Sequence, residues 1–223
     1  MSPLSHRLRF AGVLTILLFC AGCLPVDDIG GTWEKASLDP ALEGAWKDPA
    51  QGKDGEDFYT VFTKRNDYYA EEFPDPGSKK DDHLFTPVRT LKIGGANFLI
   101  ENSQPDQPQK KGMARAGWIL RYELKDGKLV WYVLKEEVVV DAIKSGAVKG
   151  VIRKSDTRSS IGNASLSVLD EATLDFLAAQ VKKPECWQEW VVYIRVKNLE
   201  KEMEESRARM PKPANPFDGS PLK

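Results

Sequence analysis

The chain has 223 residues, 32 of them Lys or Arg against 33 Asp or Glu, for a formal net charge of −1 at pH 7. That balance lacks the concentrated basic field that phosphate backbones require, which excludes nucleic acid as a partner. The length suits one domain with appendages.

The amino terminus carries Arg7 and Arg9 without an acid, followed by an apolar run from Phe10 to Val26. This is the order of a secretory signal, and at 17 residues the run falls just short of the roughly 18 to 20 that span a bilayer. Small residues then precede a cysteine in Ala21-Gly22-Cys23, with Cys20 three positions before it. The stretch resembles the lipobox of bacterial lipoproteins. The resemblance implies cleavage of residues 1–22, a diacylglycerol on the Cys23 thiol and an acylated new amino group, so that two or three acyl chains hold the protein to a membrane. Leu24 in place of an aspartate implies sorting to the outer membrane, with the polypeptide facing the periplasm. Cleavage removes Cys20, and acylation consumes Cys23. Cys186 is then the only thiol left, and it has no internal disulfide partner. Residues 23–29 read as a lipidated tether.

From residue 30 to 198 the chain reads as a succession of short strands. Two tryptophans follow a glycine at the same spacing, Gly31 with Trp33 and Gly44 with Trp46, and either could open the first strand. FYTVFTKRNDYYAEEF suggests a hairpin turning at Asn66-Asp67, but that register sets Phe62 opposite Glu71, so its faces do not separate into apolar and polar. TLKIGGANFLIEN turns at Gly94-Gly95 and sets Leu91 opposite Phe98, on a face shared with Ile100. The firmest signal is Asp126-Gly127 in WILRYELKDGKLVWYVLK. It pairs Lys125 with Lys128, Leu124 with Leu129, Tyr122 with Trp131 and Leu120 with Val133, and places these, the lysines apart, on one face with Trp118.

Two helices interrupt the strands. One spans about Val138 to Ser145, with Gly146 as its stop. The other begins at an Asp170 cap and carries Leu174, Leu177, Ala178 and Val181 as one apolar stripe, ending by Pro184. Trp190 to Lys197 closes the domain as a strand, with Cys186 expected to be buried beside Trp187 and Trp190. Residues 199–223 form a tail. Its charged part suits a solvated helical turn or two, and its proline-rich end suits disorder.

The fold class these signals define is mainly β with two helices, an antiparallel meander of eight to ten strands closing into a barrel. LEGAWKDPAQGKDG, with Gly44 and Trp46, resembles the Gly-x-Trp opening strand of lipocalin-like barrels. There the tryptophan plugs the closed end and packs on an arginine of the last strand, which implies Arg195 as the partner. The order of elements also resembles uncharacterised bacterial lipoproteins with lipocalin-like domains. That likeness implies a fold and no agreed activity.

Chemistry-bearing patterns are few. His83 in KKDDHLF stands beside Asp81 and Asp82, yet a zinc site needs three or four ligands and a Ser-His-Asp relay needs an elbow the sequence lacks. The reading is therefore not an enzyme, with no metal and no cofactor. The face made by Trp118, Leu120, Tyr122, Trp131 and Val133 either fills the barrel or lines a cavity for one small apolar ligand. Two functions follow: a lipid-anchored carrier of such a ligand, or a filled barrel that docks another envelope protein.

Overall fold

The computed structural model describes residues 24–50, 57–74, 85–103, 114–153 and 163–209. Three tight turns organise its core. Asp126 and Gly127 both have positive φ and join Gly117–Lys125 (β7) to Lys128–Leu134 (β8), with Leu124 opposite Leu129 and Tyr122 opposite Trp131. Gly94 and Gly95 join Phe85–Ile93 (β5) to Ala96–Asn102 (β6), with Leu91 opposite Phe98. The turn at Asn66-Asp67 joins Phe58–Lys64 (β3) to Tyr69–Glu72 (β4), and it does set Phe62 opposite Glu71.

These hairpins continue into one meander. Gly44–Asp48 (β2) pairs with β3, and the order runs β2 to β8 with every neighbour antiparallel. Trp187–Val196 (β11) then pairs with β8 on one side and with β2 on the other, closing an eight-stranded barrel. Between β8 and β11 the chain makes an excursion through Glu136–Lys144 (α2), Gly150–Ile152 (β9), Ala164–Leu166 (β10) and Glu171–Val181 (α3). Helix α2 starts two residues before Val138 because Glu136 and Glu137 suit the positive end of a helix, while Lys144 suits the other. Asp170 caps α3, its carboxylate accepting from the backbone N–H of Thr173 at 3.0 Å.

The stretch expected as a tether is not one. Leu24–Val26 (β1) pairs antiparallel with Gly117–Ile119 and parallel with β10, and Val26 and Ile29 are buried. The cause lies in β7, whose pairing with β8 begins only at Arg121. Its first half would otherwise be an open edge, and β1 covers it. Residues 1–23, with Cys23 and the expected signal, lie outside the described residues.

Alternation along the strands separates two cores. The inward residues Trp46, Phe62, Tyr69, Val88, Leu99, Leu120, Tyr122, Leu129, Trp131 and Tyr193 form one buried cluster inside the barrel, joined by Leu42. The outward residues Ile93, Phe98, Ile100 and Ile119 pack instead under α2, α3, β10 and Gly30–Lys35 (α1), with Leu177 of the α3 stripe buried among them. This settles the two tryptophan frames. Trp33 lies on α1 outside the barrel, with the guanidinium groups of Arg89 and Arg115 at 4.9 and 5.4 Å from its ring. Trp46 is the tryptophan of the opening strand.

The charged segment after β11 is more than a turn or two. Leu199–Arg209 (α4) is a helix held against the barrel wall, where Lys47 bridges Glu202 at 3.3 Å and Asp57 at 2.9 Å, and Arg209 pairs with Asp57. Those partners come from β2 and the residue before β3, so nothing near the tail in sequence announces the docking. Residues 210–223 lie outside the described residues.

Gly94 tests how α3 seats on the wall. It has φ +58, and a Cβ there would fall 2.8 Å from the Ala178 Cα, whereas Gly95, with φ +89, has nothing near. Gly94→Ala should therefore cost about 2–3 kcal/mol in urea unfolding and Gly95→Ala about 1 kcal/mol. Equal losses would mean that α3 does not press on this turn.

Candidate functional site

The two ends of the barrel differ. At one end the connections are the two-residue turns and the 3₁₀ segment Pro40–Leu42. Leu42 is fully buried and its carbonyl accepts from Trp46 Nε1 at 2.9 Å. The Arg195 guanidinium lies 4.9 Å from the Trp46 ring and donates to the Glu43 carbonyl. Gly44 has φ +120, and a side chain there would approach Arg195 Nη2 to 3.2 Å, which is why the position before Ala45 and Trp46 is a glycine. Tyr122 donates to Asp39 Oδ2 at 2.7 Å. Burial, and then Asp39, hold the Tyr122 hydroxyl above its ordinary range. This end is plugged.

At the other end β2, β4, β6 and β8 finish and β3, β5, β7 and β11 begin, joined by the long connections 49–57, 73–84, 103–116 and the excursion 135–186.

The structure brings together the residues singled out for a ligand. Leu120, Tyr122 and Trp131 are buried in the inner cluster and Val133 packs against it. Trp118, partly buried, stands two residues before Leu120 on the same face. Trp131 packs on Tyr193 at 4.9 Å and on Trp190 at 5.8 Å between ring centres. Gly44, Trp46 and Arg195 sit together at the plugged end. His83, Asp81 and Asp82 lie outside the described residues, as does Cys23. Cys186 is partly buried on the outer core, forms no disulfide and donates to Gln180 Oε1 at 3.5 Å.

What the sequence did not single out is an acid pair inside the barrel. Glu71 is fully buried. Its register with Phe62, and the inward Tyr69 two residues before it, aim it at the interior. Thr60 donates to its Oε1 at 3.0 Å, while Oε2 has no partner among the described residues. Glu101 stands opposite Val88 on one side and Trp118 on the other, two residues beyond the inward Leu99, so it faces the same space. Burial and then the charge of Glu101 push the Glu71 carboxyl well above its ordinary range, and burial pushes Glu101 up to about 7. Among the described residues only the Thr60 hydroxyl opposes the rise at Glu71. Trp131 Nε1 is a second polar atom of the interior that is buried and unpartnered. The signal that could have found the pair was the failed alternation of the Asn66-Asp67 hairpin, in which Phe62 and Glu71 compete for one face.

Among the described residues no group of His, Cys, Asp and Glu is arranged to hold a metal ion. What the interior does hold is an aromatic cluster plugged at one end, with two carboxyl groups and one indole N–H set into it. Comparison with protein-family models, curated proteins and solved structures finds no match.

The acid pair gives the protein a definite pH dependence. Both folded-state values lie above the ordinary 4.5, so the native chain keeps protons that the unfolded chain releases. Stability is then highest below about pH 4.5 for these two groups and falls as pH rises towards and beyond 7. Asp57 and Asp170, whose values are lowered, act in the opposite sense at more acidic pH. Glu71→Gln should flatten the decline in urea midpoint between about pH 5 and 8 and leave the variant more stable than the parent at the upper end. An unchanged slope would mean that the pair is not held protonated.

Proposed function

We propose that this chain is a lipid-anchored protein of the bacterial cell envelope that holds a small, largely apolar molecule inside its barrel, without catalysing its conversion. The observation that carries the reading is the convergence of Leu120, Tyr122 and Trp131, with Val133 beside them, in a barrel plugged by Leu42 and Trp46 at one end and joined by long connections at the other. Small ligands favour such mouths, where an apolar wall supplies affinity and a few polar groups fix orientation.

The anchor rests on the leader and on Ala21-Gly22-Cys23. With acyl chains on Cys23, the next residue, Leu24, already belongs to the sheet. The barrel then rides directly on the membrane with little slack, periplasm-facing, and on the outer membrane by the residue after the cysteine. The second reading, a docking module for another envelope protein, is favoured by one feature: β9 is the edge strand of the sheet, and Val151 and Ile152 on it are exposed.

Cys23→Ser should abolish labelling by radioactive palmitate in the producing cell and leave an uncleaved or soluble product. Palmitate on the serine variant would remove Cys23 as the site. For the carrier reading, the chain from Leu24 onward, isolated from its native host and sprayed from non-denaturing buffer, should show an added mass that leaves on mild activation. A protein of bare polypeptide mass that captures one envelope partner would favour docking.

A further inference from the structure

We propose that the ligand held in the barrel carries a basic amine, and that Glu71 and Glu101 are the groups that receive it. This rests on the carrier reading above and gives the ligand its chemical class.

Buried polar side-chain atoms in native proteins have hydrogen-bond partners almost without exception, and a buried carboxylate oxygen without one is costly. Glu71 Oε2 is such an atom, on a residue with no exposed surface. A purely apolar ligand would leave it unpaired, whereas a ligand ammonium beside the pair favours the ionised carboxylate and donates to it. A ligand donor satisfies it.

The second step is charge. The fully buried Glu71 and the partly buried Glu101 face the same interior, each raised by its surroundings and neither paired with a cation among the described residues. Structural ion pairs elsewhere in this molecule look different: Asp57, buried on the outer wall, has Lys47 and Arg209 as partners. The described residues thus supply a counter-charge where α4 docks and supply none to Glu71 and Glu101. An ammonium group brought by the ligand would supply it there, in charge-assisted hydrogen bonds about twice as strong as neutral ones.

The third step is the neighbourhood. Phe62 is the cross-strand neighbour of Glu71, and Trp118 is that of Glu101. Aromatic faces attract cations, and carboxylates beside aromatic rings are a common surrounding for an amine. The apolar remainder of the ligand would lie along Leu99, Leu120 and Trp131, deeper in the same cluster.

The test uses three probes of one chain length: octylamine, octanol and octanoate, titrated near pH 8 against the chain from Leu24 onward, which contains every strand of the barrel. Binding is read from tryptophan fluorescence. Octylamine should bind about tenfold more tightly than octanol, with octanoate weakest. Glu71→Gln, and independently Glu101→Gln, should reduce the amine's advantage to about threefold or less while octanol binding stays unchanged. Circular dichroism confirms that each variant is folded, and the two substitutions guard against either one failing. If amine and alcohol bind equally, the amine inference is overturned and the apolar carrier stands. If none of the three binds, both are overturned. If the amine keeps its advantage in both variants, the carboxyl groups are not what receives it.

Discussion

Closure of the sheet is the constraint on which everything else depends. The strand that opens the barrel must find the strand that ends it, and the contact that seals them, Arg195 to the Glu43 carbonyl, spans 152 positions of chain. Such a contact pays a large loop-closure entropy before it returns anything. The packing of Arg195 on Trp46, the glycine that makes room for it and the burial of Leu42 beneath them are what offset that cost. Once the seal forms, each strand acquires an inside and an outside. The outside of one wall becomes the floor for α1, α2 and α3, while the inside receives the aromatic cluster.

Closure also explains the placement of Glu71 and Glu101. In an open sheet, a glutamate on the apolar face could turn to solvent at an edge. In a closed barrel it cannot, because Glu71 is fixed by register between Phe62 and Thr86, and Glu101 between Val88 and Trp118. Glu71 is therefore fully buried and Glu101 partly so, and the departure from alternation becomes a property of the interior. Local rules are broken in natural proteins chiefly where function requires it, and here the break falls beside the aromatic cluster of the interior.

Much of this was legible in the sequence because turn chemistry and alternation are local. Asp126-Gly127 specified the β7–β8 register down to Lys125 against Lys128, and Asp170 with its leucine stripe specified α3. What was not legible depended on partners far along the chain. Leu24 to Val26 look like linker until the uncovered half of β7 is known, and Leu199 to Arg209 look like a solvated tail until Lys47 and Asp57 appear beside them. The choice between Trp33 and Trp46 was equally non-local, since only the position of Arg195 separates them. The candidate site was half visible: the apolar face of β7 and β8 was read directly, whereas the acid pair showed itself only as a hairpin that failed to sort its faces.

The central claim is that closing this barrel encloses two carboxyl groups that face one another's field. Direct titration of the glutamate side-chain carboxyl carbons by NMR, with Glu71 and Glu101 assigned through their glutamine variants, addresses it without any ligand. The account predicts that Glu101 titrates at about 7 and that Glu71 also lies well above its ordinary 4.5, with Glu71 moving down when Glu101 is replaced. Two independent titrations near 4.5 would contradict it, since carboxyl groups with those values face water.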